Sequence, residues 1–282
     1  MLTYNHERYV DQAVESVFAQ KADFPIEVII ADDGSTDRTP KLIEAARAPE
    51  HITVRPVLRD RNIGMHANFA DAWARCTGDA IAMLEGDDMW TDERKLADQL
   101  QLLAAHPAMT MCGGGARAVD ANGNLRPEHW PDNFDEPVTL ETLIEANVLQ
   151  TCSLMYRAGV VTALPSWFGG LAMGDWPLNL LHAFRGDVGF LKRDVAAYRF
   201  HDGGVWSGRR RAYRLLASER ALGAVEEHGD PSPGAAAALH RQRRALIAAA
   251  LKDAIRRVDV ADAGRAVATA TRLARARTGD EQ

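Results

Sequence analysis

Apolar side chains at Tyr9, Val10, Ala13, Val14, Val17 and Phe18 recur at the spacing of one helical face, which predicts an amphipathic helix over about residues 7 to 20. The β-branched run Ile26-Glu27-Val28-Ile29-Ile30 predicts a strand running out into Asp32-Asp33-Gly34-Ser35. Thr36 to Pro40 supplies capping residues and a helix start, and Thr53 to Leu58 a second strand. A helix over Met65 to Arg75, a strand over Asp79 to Leu84 and a helix over Glu93 to Ala105 continue the alternation. Elements alternating at these lengths predict an α/β fold, a mostly parallel sheet flanked by helices. Ligands of such sheets bind beyond the carboxyl ends of the strands. Both acidic clusters, Asp32-Asp33 and Glu85-Gly86-Asp87-Asp88, fall at predicted strand ends.

After residue 108 the pattern turns irregular and more antiparallel. A Gly-rich strand over Met109 to Val119 leads into Asp120-Ala121-Asn122-Gly123, whose Asn-Gly pair signals a hairpin. A strand over Leu149 to Tyr156, a helix over Trp176 to Phe184 and strand pieces over Val188 to Arg199 follow. From Arg209 the chain is rich in Ala, Arg, Leu and Glu and broken by Gly229-Asp230-Pro231-Ser232-Pro233-Gly234, which predicts two or three helices. The expected organisation is a first half over residues 1–108, a second, mixed half of the same domain over 109–208, and a helical C-terminal region over 209–282.

With 33 Lys+Arg against 39 Asp+Glu in 282 residues the net charge is −6, which argues against a nucleic-acid partner. Cys76, Cys112 and Cys152 are odd in number and widely spaced, a pattern of neither a disulfide framework nor a zinc ribbon, and fit a reducing cytoplasm. No apolar run approaches the roughly 20 residues of a membrane span. Arg209-Arg210-Arg211, with Arg241, Arg243 and Arg244, read as solvated helix faces. Peripheral contact with an anionic membrane surface, at its inner face, is the alternative.

Three carboxylates within Glu85-Gly86-Asp87-Asp88 repel one another unless a cation neutralises them. Hard oxygen ligands suit Mg²⁺ or Mn²⁺, which commonly combine one or two carboxylates with substrate phosphates. A solvated acidic turn ahead of a helix is the plainer alternative. Asp33 can accept a hydrogen bond from a base N–H, and Gly34 permits close approach of the backbone; a capped strand-to-helix turn explains the same residues. The tryptophans Trp73, Trp130, Trp167 and Trp206 are read as packing, and His6 and His66 are given no role.

Taken together, Thr3-Tyr4-Asn5-His6-Glu7-Arg8-Tyr9, the Asp32 to Asp37 run, Asn62-Ile63-Gly64 and Leu84-Glu85-Gly86-Asp87-Asp88-Met89-Trp90 occur in an order and at intervals that resemble family 2 glycosyltransferases of the GT-A fold. The resemblance spans roughly residues 1 to 205. It implies inverting transfer of a sugar from a nucleotide-sugar donor to a glycan, lipid-linked or small-molecule acceptor, with a divalent metal, Mn²⁺ or Mg²⁺. Tyr4 then matches the aromatic that stacks on the donor base, with Thr3 and Asn5 beside it, and Asp33 the carboxylate that reads the base. Glu85, with Gly86, stands at the first position of the family's Asp-x-Asp motif near the ribose, and Asp87 at the metal-binding second.

Gly174-Asp175-Trp176-Pro177 resembles the family's Glu-Asp motif, with Gly174 in place of Glu and Asp175 as general base; an Asp175 N-cap is the structural alternative. His201, after a strand and before Asp202-Gly203-Gly204-Val205-Trp206-Ser207, matches a metal ligand or phosphate contact ahead of a loop that closes over the donor. The resemblance also implies a buried strand of about five β-branched residues before Thr3, where only Met1 and Leu2 stand. The expectation is a first strand cut short, with backbone groups that cost about 1–3 kcal/mol each if left unpaired. Two rival readings are a nucleotidyltransferase, whose Gly-rich, Lys/Arg-containing loop is missing here, and a non-catalytic nucleotide-sugar or glycan-binding scaffold.

Overall fold

The alternation read from the sequence is present in the computed structural model, which describes residues 1–131, 138–204, 206, 208–257 and 260–279. The elements of the first hundred residues are β1 (Leu2–Thr3), α1 (Val10–Phe18), β2 (Ile26–Asp32), α2 (Thr39–Ala45), β3 (Ile52–Leu58), α3 (Met65–Arg75), β4 (Ala80–Ala82), β5 (Met89–Trp90) and α4 (Lys95–Ala105). Then come β6 (Met109–Val119), β7 (Leu125–Trp130), α5 (Leu140–Glu145), β8 (Met155–Arg157), α6 (Asp175–Ala183), β9 (Asp187–Arg199), α7 (Arg211–His228), α8 (Pro233–Arg256) and α9 (Val260–Gly279).

Two sheets carry the fold. A three-stranded parallel sheet has the order β1-β2-β3, and a six-stranded mixed sheet has the order β4-β8-β6-β9-β5, with β7 also on β6. The long strand β6 pairs in parallel with β9 and antiparallel with β7 and β8. Leu149 to Tyr156, expected as one strand, instead begins with a 3₁₀ turn at Thr151–Ser153 and extends only from Met155. The β-branched and aromatic residues in that window favour extension, but the polar Gln150-Thr151 pair opens a turn closed by the Ser153 N–H and hydroxyl on the Gln150 carbonyl at 2.9 and 2.8 Å.

The apolar stripe of α1 (Val10, Ala13, Val14, Val17) packs with Ile26, Val28 and Ile30 of β2, Leu96 and Leu103 of α4, and Cys112, Ala116, Val195 and Ala196 of β6 and β9. Lys95 is wholly buried in this core; its ammonium donates to Gln99 Oε1 at 2.8 Å and lies 4.5 Å from the Trp90 ring, and burial lowers it to about 8. Trp73 is buried and donates to the Val161 carbonyl at 3.1 Å, so the packing reading of that residue holds.

The first strand, β1, is two residues long. The Met1 ammonium donates to the Ile29 carbonyl at 2.6 Å, and the Ala31 N–H donates to Met1 at 2.9 Å. On the other side the Leu2 N–H reaches the Leu84 carbonyl at 3.1 Å, and the Gly86 N–H returns to Leu2 at 2.8 Å. Among the described residues, the margin of β2 from Ile26 to Val28 and the facing margin of β4 have no strand between them. An apolar cavity of about 310 Å³ opens there, walled by Ile26, Ile29, Ala80, Ala82, Trp90 and Met155 among others.

The chain divides into two compact units. The first holds residues 1–139, 147–169 and 185–200; the second holds 140–146, 170–184 and 201–282. The second unit is helical: α8 packs along α7 and α5, and α9 packs along α8. No helix among the described residues is long and apolar enough to cross a membrane.

Candidate active site

Three loops at the carboxyl ends of β1, β2 and β4 are sewn to one another in the first unit. Asn5 adopts a left-handed backbone (φ 54°), tolerated by Asn, and this directs its N–H to Ser35 Oγ at 2.8 Å and its Oδ1 to the Thr36 N–H at 2.9 Å. The His6 N–H donates to Thr39 Oγ1, the Glu7 N–H to Asp37, and the Arg38 N–H to Glu7. Tyr4 stands out of this lacework with 44% of its surface exposed.

The two aspartates that end β2 do different work. Asp32 is fully buried and accepts from the Thr3 hydroxyl, the Ser35 hydroxyl and the Ser35 N–H, so Thr3 and Asp32 pin the loop. Asp33 is 3% exposed, and its two oxygens accept the N–H groups of Ile63 and Gly64 at 2.8 and 3.0 Å, which ties the Asn62-Ile63-Gly64 segment to the first loop. Gly34 has φ 71°, and a Cβ there would lie 2.4 Å from the Arg61 backbone; only glycine fits between the two segments.

The acidic loop follows β4. A Cβ on Gly86 would lie 2.5 Å from the Thr3 methyl and 3.0 Å from the His6 ring, so glycine lets the loop close onto the Thr3-to-His6 segment. That closure brings His6 Nε2 to 3.6 Å from Asp87 Oδ2, giving His6 a place in the site that the sequence reading did not assign. Asp88 is turned inward, 2% exposed, and its Oδ1 accepts the Arg199 N–H at 2.8 Å. Burial, then the charges of Asp87 and Glu85, push the Asp88 carboxyl well above the usual range, against the pull of the Arg199 N–H and the Cys152 thiol.

Arg199 is the residue the sequence reading passed over. It is 3% exposed, and its guanidinium donates to the Asp87 carbonyl at 2.7 Å, to the Asp120 carbonyl at 3.3 Å and to Gln12 Oε1 at 2.6 Å while lying 5.0 Å from the Tyr9 ring centre. It therefore holds the acidic loop by its backbone, while the Asp87 carboxylate, 19% exposed, lies beside His6. A signal was present: Arg199 continues the buried apolar run Val195-Ala196-Ala197, where an arginine requires several partners.

Thr3, Tyr4, Asn5, Asp33, Glu85, Gly86 and Asp87 thus converge in the first unit, while Asp175 and His201 belong to the second. Asp175 opens α6, but the N-cap position is Gly174 and no side chain caps the helix. Asp175 is the first residue inside the helix, at its N-terminal turn. His201 is half-buried and its carbonyl accepts the Gly204 N–H at 3.1 Å; Val205 and Ser207 of the following loop lie outside the described residues.

Among the described residues no three His, Cys, Asp or Glu side chains form a ready-made metal cage. The donor chemistry fits a hard divalent ion: burial and then the charges of Asp87 and Glu85 raise Asp88, and a bound cation would offset those charges. An ion that keeps most of its ligands from water and phosphate needs only one or two protein carboxylates.

A protein of Mycobacterium tuberculosis, uncharacterised, is 39% identical over 210 residues, 73% of this chain and 59% of that protein, so the chain spans about three fifths of its relative's length. Residues 1–349 of Staphylococcus aureus TarS in complex with UDP-GlcNAc superpose with a TM-score of 0.65 at 18% identity, covering 87% of this chain and 70% of that one. A mannosyltransferase from Pyrobaculum calidifontis, in complex with GDP-Man and Mn²⁺, superposes with a TM-score of 0.64 at 19% identity, covering 97% and 78%. These likenesses establish the GT-A fold. Residues 1–163 match the family described as Glycosyl transferase family 2, and the chain belongs to that family.

Proposed function

We propose that this chain transfers a sugar, with inversion, from a nucleoside-diphosphate sugar to an acceptor hydroxyl of a glycan, a lipid-linked saccharide or a small molecule, in a metal-dependent reaction. The observation that carries the reading is the half-buried Asp87 on a loop fixed by Leu2 on one side and Arg199 on the other and closed by Gly86 onto the Thr3-to-His6 segment. The structural relatives bound to UDP-GlcNAc and to GDP-Man with Mn²⁺ support a nucleotide-sugar donor and a divalent ion.

In this reading Tyr4 stacks on the donor base, with the Asn5 and Asp33 loops forming the wall beside it. Glu85 would meet the ribose, Gly86 lets the loop come close, and Asp87 would hold the metal. The metal, when bound, offsets the charge that builds on the departing diphosphate. Arg199 keeps the Asp87 backbone in place while that charge develops. Asp175 takes the acceptor hydroxyl's proton, and an oxygen freed of its proton attacks the anomeric carbon from the face opposite the diphosphate. The likeness to the family's Glu-Asp motif and the place of Asp175 at the start of α6 support that role.

Thermal shift with a panel of nucleoside diphosphates, with and without Mn²⁺, tests the donor site, and release of nucleoside diphosphate from the matching sugar donor tests turnover. A metal-dependent shift for one base together with donor turnover is expected. A shift without turnover on any donor points to a binding scaffold, and pyrophosphate release from a nucleoside triphosphate points to a nucleotidyltransferase.

A further inference from the structure

The helices of the second unit sort their charges by depth. Of the carboxylates carried by α7, α8 and α9, Glu219, Asp253 and Asp262 are buried, Glu226 is half-buried, and only Glu227 is exposed. Each inward carboxylate meets an arginine: Glu219 and Glu226 meet Arg243, Asp253 meets Arg211 and Arg257, and Asp262 meets Arg265. Among the described residues most of the remaining cations lie outside; an exposed acid, Glu145 of α5, lies beside α8, its carbonyl accepting from Gln242.

The effect is sharpest on α8, the longest helix. Arg241, Arg244, Lys252 and Arg256 are all exposed. At 100° per residue they fall within about 120° of arc, and at 1.5 Å per residue they span roughly 22 Å. Ala245, Ala248 and Ile255 share that arc and are exposed, Ile255 to 64%. Asp253, the sole acidic residue of α8, points inward at 7% exposure. The outer face of α8 is therefore a stripe of three guanidiniums and one ammonium with short apolar side chains between them and no exposed carboxylate.

A solvated helix face ordinarily mixes both signs of charge, and this one does not. We infer that the outer face of α8 docks on an anionic lipid surface. Cations that lie flat along a helix meet lipid phosphates in a plane, Arg pairs with phosphate through two N–H groups, and the exposed Ile255 and alanines suit the headgroup boundary. A single-stranded nucleic acid fits less well, because the stripe holds no aromatic ring on which a base stacks, and the chain carries a net charge of −6. The inference stands apart from the transfer chemistry and does not use Asp87 or Asp175.

The test is co-sedimentation of the intact chain with vesicles of phosphatidylcholine alone or with about a third phosphatidylglycerol, at about 0.1 M salt. The expected result is at least about 10-fold more protein on the anionic vesicles, abolished by Arg241→Gln/Arg244→Gln/Lys252→Gln/Arg256→Gln and suppressed at about 1 M salt. All four positions are exposed, so the melting temperature of the variant is expected to match the parent; Arg241→Gln/Arg244→Gln alone is expected to give an intermediate loss. Equal binding to both vesicle types, binding unchanged in the fourfold variant, or tighter binding to a short RNA than to the anionic vesicles would overturn the inference.

Discussion

The acidic loop of the first unit and the helices of the second bury carboxylates in opposite ways. Around Asp88 burial, and then the like charges of Asp87 and Glu85, drive its carboxyl toward the protonated form. Around Glu219 the neighbour is Arg243, whose Nε and Nη2 lie 2.9 and 2.8 Å from Glu219 Oε1, with Glu226 completing the group. In the proposed reaction the first arrangement gains when a cation arrives, while the second already holds its counter-charge. Burial alone does not distinguish a site from a strut, but the sign of the neighbouring charge does.

The hardest test of that contrast is Asp87→Asn. Removing one charge from a crowded cluster is expected to leave the melting temperature unchanged or slightly higher while lowering transfer by about 10⁴-fold or more and erasing the Mn²⁺-dependent part of nucleotide affinity. Turnover that persists in EDTA, or a variant that unfolds, would place Asp87 among the struts. Asp175→Asn is expected next, with kcat reduced by about 10²- to 10⁴-fold and nucleoside-diphosphate affinity unchanged. Asn keeps the size of the side chain at the start of α6, so little change in melting temperature is expected, and near-parental turnover removes Asp175 from the reaction.

Arg199→Lys keeps a positive charge under the acidic loop but loses the fork that reaches Asp87, Asp120 and Gln12 together. The expected outcome is a rise of about 10-fold in donor KM with a smaller change in kcat, read from steady-state kinetics. An unchanged KM would show that Leu2 and Gly86 suffice to hold the loop. Glu219→Gln sharpens the other side of the comparison. It should cost about 1–3 kcal/mol in chemical denaturation, by leaving Arg243 short of charge, with donor affinity and kcat per folded molecule unchanged.

Much of this was legible before any coordinates. The apolar spacing of Val10 to Val17 and of Met65 to Arg75 marked helices, and Ile26 to Asp32 marked the strand that delivers Asp33, because period and β-branching are local properties. What stayed hidden was what depends on distant segments. β5 is two residues long and exists only because Ala196 and Ala197 lie alongside it. Arg199 reaches Asp87 across 112 positions of sequence, and no local window reveals that. His6 was read as bland because a lone histidine says nothing until Gly86 brings Asp87 to it.

The cavity between β2 and β4 has a consequence for how the backbone meets solvent. Along β2 the peptide groups alternate in direction: the Ile29 carbonyl and the Ala31 and Asp33 N–H groups turn toward β1, so the N–H groups of Glu27 and Ile29 turn to the same side, where the cavity lies, while those of Val28 and Ile30 turn toward β3. Deuterium uptake along this one strand should therefore alternate residue by residue, fast at Glu27 and Ile29 and slow at Val28 and Ile30, although all four belong to one element. A single strand would then carry two clocks, one set by the sheet at its back and the other by the open space at its front.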